Sequence, residues 1–166
     1  MPTKIVVTGP VAAGKTTFVQ SLGGTGTVST EEASTRSGKE TTTVAMDVGH
    51  THLQGRDITL VGTPGQERFH YMWTVLSSGA DAVVLLIPAD REEALQQALT
   101  ITPHFESASS LPIGVGITRS DRAEDPVEPA VKRALGAQAV FIERVDARVT
   151  EECRELLVSL ADVIAS

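Results

Sequence analysis

The sequence has one cysteine, Cys153, six aromatic residues and a deficit of positive charge. A lone cysteine excludes an intrachain disulfide and a cysteine-based zinc site, and it fits a reducing cytoplasm. Lysine and arginine number 14 against 21 acidic residues, so the formal net charge is −7. This balance argues against binding nucleic acid through a broad basic face.

Both ends of the sequence lack targeting signals. The first residues, which include Pro2 where N-myristoylation needs glycine, have no long apolar stretch of the kind found in a signal peptide. Residues 162–166 contain no cysteine for prenylation. We therefore expect a bacterial, cytoplasmic protein without a lipid anchor.

Length and hydrophobic patterning predict one α/β domain. The chain has 166 residues, of which 41% are apolar, enough for one sizeable core. Strands alternating with helices predict a mostly parallel sheet covered by helices on both faces. Strands are expected at 4–8, 43–53, 57–61, 82–87, 111–117 and 139–142, and helices at 16–22, 91–101, 127–135 and 150–164. Residues 23–42, almost entirely polar and glycine, are predicted to form a mobile loop.

The clearest motif is a phosphate-binding loop at Gly9–Thr16, which fits G-x-x-x-x-G-K-S/T. Its glycines let successive backbone N–H groups face phosphates, and the following helix adds its positive end. Lys15 is expected to bridge the β- and γ-phosphates, and the Thr16 hydroxyl to bind Mg²⁺. The alternative, a chance match, is disfavoured because a strand precedes the loop and a helix follows it. The nucleotide-binding residues predicted here are Gly9, Val11, Ala12, Ala13, Gly14, Lys15, Thr16 and Thr17.

Further segments resemble Ras-like small GTPases. Gly62–Phe69 resembles the switch II stretch D-T-A-G-Q-E-R-F of Rab proteins, and Thr43–Val48 resembles the Rab switch I stretch T-I-G-V-D-F. Gly79–Leu85 is similar to the Rab strand G-A-D-G-V-L-L, and the phosphate loop resembles that of Arf proteins. Gly62 followed by Thr63–Gln66 most resembles the bacterial GTPases encoded in conservons beside Roadblock-domain proteins. The likeness implies a P-loop NTPase fold, a three-layer α/β/α arrangement with about six strands, five of them parallel.

The resemblance also implies roles for the switch residues. Thr43 would bind Mg²⁺ and the γ-phosphate, and the Gly65 N–H would sense the γ-phosphate. Gln66 would orient the attacking water, so that Gln66 and Lys15 are the expected catalytic residues. The alternative for Gln66 is a solvated loop residue.

Two other segments are expected to read the base. Thr118–Asp121 stands where the family has N/T-K-x-D, with Arg119 in place of lysine. The Asp121 carboxylate would accept hydrogen bonds from guanine N1 and N2, which adenine cannot offer. Asp146–Arg148 is similar to the S-A-K loop, with the Ala147 N–H facing guanine O6. The alternative for 118–121 is a charged turn at a strand end.

Two departures from the family pattern concern the rate of hydrolysis. Gly62 replaces the Walker B aspartate of D-x-x-G, which leaves open how Mg²⁺ is held. Val11 stands at a loop position that is glycine in Ras, where a branched side chain crowds Gln66. We expect slow hydrolysis that needs a partner. An aromatic patch at 69–73 beside switch II is a candidate docking site for an activating or exchange partner.

The leading hypothesis is therefore a GTP/GDP switch that signals through switches I and II to a Roadblock-type effector. A nucleotide-holding scaffold with negligible hydrolysis is the second possibility, favoured by Gly62 and Val11. A small ATPase or kinase is the third, disfavoured by Asp121 and the Gln66 loop.

Overall fold

The computed structural model describes residues 2–10, 12–33, 41–63, 79–91, 93–102, 111–122 and 127–165. This part of the chain contains seven strands and four helices, and a short 3₁₀ turn spans Ser120–Arg122. The elements are β1 (Thr3–Thr8), α1 (Lys15–Ser21), β2 (Gly24–Ala33), β3 (Thr41–Leu53), β4 (Arg56–Gly62), β5 (Ala82–Pro88), α2 (Ala94–Ile101), β6 (Ile113–Thr118), α3 (Glu128–Leu135), β7 (Ala139–Arg144) and α4 (Thr150–Ala165).

The sheet has the order β2-β3-β4-β1-β5-β6-β7. Strands β4, β1, β5, β6 and β7 pair in parallel, whereas β3 is antiparallel to both β4 and β2. The predicted α/β fold with a mostly parallel sheet is confirmed. All elements anticipated from the sequence begin and end within three residues of their expected bounds.

Strand β2 corrects the expected loop at 23–42 and brings the described strands to seven. The backbone of Gly24–Ala33 pairs with β3 from Gly24 opposite Gly49 to Ala33 opposite Thr41. The prediction counted apolar residues, but a ladder at a sheet edge is held by backbone hydrogen bonds and does not need an apolar face. Residues 34–40 lie outside the described part.

The β3–β4 hairpin turns at Gln54-Gly55, between the two strands expected at 43–53 and 57–61. Gln54 has φ 52° and Gly55 has φ 75°, two successive left-handed residues that suit a two-residue hairpin turn. From this turn the ladder runs without interruption from Leu53 opposite Arg56 to Asp47 opposite Gly62. The register of the whole hairpin is therefore fixed by the turn.

Two buried clusters lie on opposite faces of the sheet. One packs α1 and α4 against it and includes Phe18, Cys153 and Leu156. The other packs α2 and α3 against the second face and includes Ala98 and Val131. Cys153 is fully buried. In the part of the chain that the structure describes, no helix has the length and apolar character needed to cross a membrane.

Candidate nucleotide site

The phosphate loop lies at the carboxyl end of β1, where ligands of open parallel sheets bind. Gly9 has φ 151°, and a Cβ there would stand 2.3 Å from the backbone oxygen of Leu86. Glycine is therefore required at this position by both conformation and space. Gly14, with φ 97°, ends the loop as the residue before α1.

Lys15 points back into its own loop. Its Nζ donates hydrogen bonds to the backbone oxygens of Gly9 at 2.7 Å and Pro10 at 2.9 Å. Burial lowers the pKa of Lys15 to about 8, against the opposing attraction of the Asp47 carboxylate. Neutral carbonyls compensate only poorly for the loss of water around the buried ammonium of Lys15. A bound phosphate would therefore stabilise the charged form of this side chain.

Thr16 and Asp47 form a second polar cluster next to Lys15. The Thr16 hydroxyl donates a hydrogen bond to Asp47 Oδ2 at 2.5 Å. Asp47 lies on β3 directly opposite Gly62 on β4. In the sequence, Asp47 is marked only by the resemblance of Thr43–Val48 to switch I, which does not predict this contact. The signal was available, because a two-residue turn at 54–55 dictates that pairing.

The oxygen atoms of this cluster suit Mg²⁺. A hydroxyl and a carboxylate are the hard donors that Mg²⁺ prefers, and this ion commonly takes one or two protein oxygens together with substrate phosphates. Among the described residues no group of three or more His, Cys, Asp or Glu side chains is placed to hold a metal alone. Thr16 and Asp47 are thus the described residues that would hold Mg²⁺, with the phosphates completing its shell.

A cavity of about 390 Å³ opens beside the phosphate loop. Its walls bring together nine of the predicted nucleotide-binding residues from three distant segments, namely Ala13, Gly14, Thr17, Thr118, Arg119, Asp121, Asp146, Ala147 and Arg148. Four residues that were not among the predicted nucleotide-binding residues also line the cavity, namely Ser120, Arg144, Val145 and Glu152. The cavity joins the predicted phosphate end to the predicted base end, so one nucleotide could span both.

Two hydroxyls tie these walls together. Thr118 Oγ1, at the end of β6, donates a hydrogen bond to the backbone oxygen of Ala13 at 2.8 Å. Ser21 Oγ, at the end of α1, donates one to the backbone oxygen of Ala147 at 2.5 Å. Hydrogen bonds therefore join the phosphate loop to the 118–121 segment, and the helix that follows the loop to the 146–148 segment.

Sequence comparison decides the family of this site. Residues 2–159 match the sequence profile of the elongation factor Tu GTP-binding domain. The chain belongs to this GTP-binding domain family. The match covers nearly all of the chain, and it agrees with the P-loop, the parallel sheet and the cavity described above.

Curated proteins similar to this chain include translation initiation factors. IF-2 of Kosmotoga olearia is 28% identical over 139 residues, which cover 82% of this chain and 18% of the relative. IF-2 of Thermosipho africanus is 30% identical over 127 residues, 76% of this chain and 17% of the relative. IF-2 of Syntrophus aciditrophicus is 32% identical over 136 residues, 74% of this chain and 14% of the relative. The chain spans less than a fifth of the length of these relatives.

At the end of the cavity that is predicted to hold the base, Asp146 fixes the Arg148 side chain. Arg148 Nε and Nη2 donate hydrogen bonds to the two carboxylate oxygens of Asp146, at 2.9 and 2.8 Å. These hydrogen bonds lower the pKa of Asp146 to about 2. Arg148 Nη2 is also 3.8 Å from Asp121 Oδ2, beyond hydrogen-bond range, so the carboxylate of Asp121 retains acceptor positions for a base.

Arg119, at the position of the family lysine, has a left-handed backbone with φ 59°. Its Nε donates to Asp90 Oδ2 at 3.0 Å, at the end of β5. The guanidinium is thereby anchored at the rim while the residue lines the cavity. The ion pair with Asp90 thus fixes the position of the Arg119 side chain. The replacement of the family lysine by arginine does not by itself predict this contact.

Other residues predicted to bind the nucleotide lie, wholly or in their side chains, outside the described part of the chain. Val11, Gly65 and Gln66 lie outside the described residues, as does the aromatic patch at 69–73. The backbone of Thr43 lies in β3 opposite Glu31, and its side chain is outside the description. The roles of these residues, like those of the residues that line the cavity, remain predictions.

Proposed function

We propose that this chain is a guanine-nucleotide switch that binds GTP and GDP with Mg²⁺ and hydrolyses GTP slowly. The observation that carries the proposal is the cavity that joins the phosphate loop at Ala13 and Gly14 to the base-reading segments around Asp121 and Asp146. Only GTP offers a γ-phosphate to the switch residues, so their arrangement would differ between the two nucleotide states.

Asp121 supports the choice of guanine over adenine. Its side chain is 64% exposed at the mouth of the cavity, and a carboxylate offers only acceptors. Guanine presents two donors, N1–H and the N2 amine, to such a group, whereas adenine presents none at these positions. Selection for GTP over ATP follows from pairing a charged acceptor with those donors.

Slow hydrolysis follows from the sequence around the reacting phosphate. Gln66 would position the water and Lys15 would neutralise charge on the phosphates, which is the main work in phosphoryl transfer. Val11 would crowd Gln66, and an arginine supplied by a partner would raise the rate. A scaffold that holds nucleotide with negligible hydrolysis is the limiting case of the same proposal.

Two measurements test the nucleotide proposal. Fluorescent-nucleotide titration of the purified chain should give much tighter binding of GDP and GTP than of ATP. Stronger binding of ATP would contradict the guanine assignment and favour a small ATPase or kinase. Single-turnover hydrolysis should run at roughly 10⁻⁴ to 10⁻² per second, and a rate near one per second would contradict the slow mechanism.

The partner proposed from the sequence resemblance is a Roadblock-type effector in the cytoplasm, with regulators docking on the 69–73 patch. The similarity to translation initiation factors favours a second candidate, a GTPase that acts in translation. Binding of the chain loaded with a non-hydrolysable GTP analogue or with GDP should be compared on a Roadblock-domain protein and on ribosomes. Preference of the GTP-analogue form for one of them selects the partner, and binding to neither would contradict both.

A further inference from the structure

We propose that Asp47 supplies the Mg²⁺-site carboxylate that is missing at Gly62, displaced by one strand across the β3–β4 hairpin. The inference rests on the proposed guanine-nucleotide function and assigns its metal site. It answers how a chain without an aspartate at position 62 would hold the ion.

The hairpin register places the two positions side by side. Asp47 lies seven residues before Gln54, and Gly62 lies seven residues after Gly55 (54 − 47 = 7; 62 − 55 = 7). The ladder between them has no bulge, and it ends with Asp47 opposite Gly62. Directly opposed residues of an antiparallel pair carry their side chains on the same face of the sheet. Asp47 therefore points to the face that an aspartate at 62 would use.

The distances agree with a relocated carboxylate. A Cβ built at Gly62 would lie 3.7 Å from Asp47 Oδ2. That same oxygen accepts the hydrogen bond of 2.5 Å from Thr16, the predicted metal-binding hydroxyl. Neighbouring oxygens on an octahedral Mg²⁺ with bonds of about 2.0–2.1 Å stand about 2.9 Å apart. The Thr16 and Asp47 oxygens, now 2.5 Å apart, would therefore need to move apart only slightly for both to bind one ion.

Glycine at 62 is explained by the same contact. Gly62 lies in a regular strand and is not among the glycines with positive φ, so the backbone does not require it. A Cβ there would stand 3.3 Å from the Asp47 Cβ, closer than side-chain carbons normally pack. An aspartate at both positions would also place two carboxylates in contact. An aspartate at position 47 therefore favours glycine at position 62.

The test compares Asp47→Asn with the wild type. Asparagine keeps the acceptor for Thr16 but removes the charge. The release of fluorescent GDP is measured while Mg²⁺ is titrated, and the GDP affinity is measured in EDTA. We expect the half-maximal Mg²⁺ concentration to rise about 10- to 100-fold. We expect the affinity in EDTA to stay equal or improve, because a negative charge beside the phosphates is gone.

This paired readout separates a metal role from structural damage. An unchanged Mg²⁺ requirement in Asp47→Asn would overturn the inference. Equal weakening with and without Mg²⁺ would overturn it as well, since it would indicate a structural role. Asp57→Asn, on the same hairpin next to the turn, is the matched control and should leave both values unchanged. Failure of the wild type to bind any guanine nucleotide would instead refute the proposed function.

An exchange variant, Asp47→Gly with Gly62→Asp, returns the carboxylate to β4 and removes the crowding Cβ. It should recover a Mg²⁺ requirement within about threefold of the wild type, well inside the loss expected for Asp47→Asn. Circular dichroism first establishes whether it folds. A folded exchange variant that keeps the defect of Asp47→Asn would show that the two positions are not equivalent and overturn the displacement. The decision rests on Asp47→Asn alone when the exchange variant does not fold.

Discussion

Replacing Asp121 with alanine should abolish discrimination between guanine and hypoxanthine. Hypoxanthine is guanine without the N2 amine, so GDP and IDP differ by one donor that faces Asp121 in the proposed complex. Asp121 Oδ2 lies 3.8 Å from its cationic neighbour Arg148, too far for a hydrogen bond to occupy it. Arg148 is itself held by two hydrogen bonds to Asp146. The Asp121→Ala change should therefore remove the acceptor and leave the pocket in shape.

The expected size follows from one charge-assisted hydrogen bond. Such a bond contributes about 1.5–3 kcal/mol, and about 1.4 kcal/mol is a factor of ten in affinity. The wild type should thus bind GDP about 10- to 150-fold more tightly than IDP. In Asp121→Ala the two affinities should converge to within about threefold, because only the nucleotide's N2 contact distinguishes them.

The assay is competition of GDP and of IDP against a fluorescent GDP analogue, at fixed Mg²⁺. Asp57→Ala removes another exposed carboxylate, one that pairs with His52 at 2.9 Å and lies away from the cavity. Its GDP-to-IDP ratio should match the wild type. A ratio in Asp121→Ala as large as that of the wild type would refute the assignment of Asp121 to the base.

Three further changes test packing, thiol chemistry and charge. Gly116→Ala should lower the free energy of unfolding by about 1–3 kcal/mol in denaturant melts, since its Cβ would stand 2.8 Å from Val145 Cγ1 and 2.9 Å from Leu156 Cδ1 and Leu86 Cδ2; an unchanged free energy of unfolding would contradict this packing. Burial raises the pKa of Cys153 to about 12, so at pH 8 a disulfide reagent should label the folded chain about 10³-fold more slowly than the unfolded chain; comparable rates would contradict this. Lys15→Met should lower the affinity for GDP more than about tenfold, because the variant lacks the charged hydrogen bonds that the lysine would make to phosphate. It should not lower the thermal midpoint of the nucleotide-free protein, because burying the ammonium of Lys15 is costly.

Local signals in the sequence were sufficient for the phosphate loop and the hairpin. The glycine, lysine and threonine spacing of 9–16 is dictated by the loop's own backbone, and the Gln54-Gly55 turn by two left-handed residues. The walls of the cavity also followed, because parallel strands end at one edge of the sheet. These features depend on neighbours in the chain or on the direction of strands, both of which a sequence records.

Features that depend on distant pairing were missed. Strand β2 is formed by a polar segment whose backbone pairs with β3, and no apolar period marks it. The contact of Thr16 with Asp47 joins residues 31 positions apart. The position of Asp47 opposite Gly62 follows from the sequence only when the β3–β4 register is traced from the Gln54-Gly55 turn. The resemblance to switch I gives no such register. The pairing of Arg119 with Asp90 likewise needed the spatial order of β5 and β6.

The links from Thr118 to Ala13 and from Ser21 to Ala147 have a consequence for how this molecule could be altered. They join the predicted base-reading segments to the phosphate loop and to α1 through residues outside the stretches that resemble switch I (Thr43–Val48) and switch II (Gly62–Phe69). In the proposed function, contacts to the base and contacts to a partner therefore fall to different parts of the chain. A graft that replaces residues 69–78, which spare Gly65 and Gln66, with those of another GTPase should change which protein is recognised and leave the contacts to the base as they are, so a new partner could be chosen without rebuilding the base pocket.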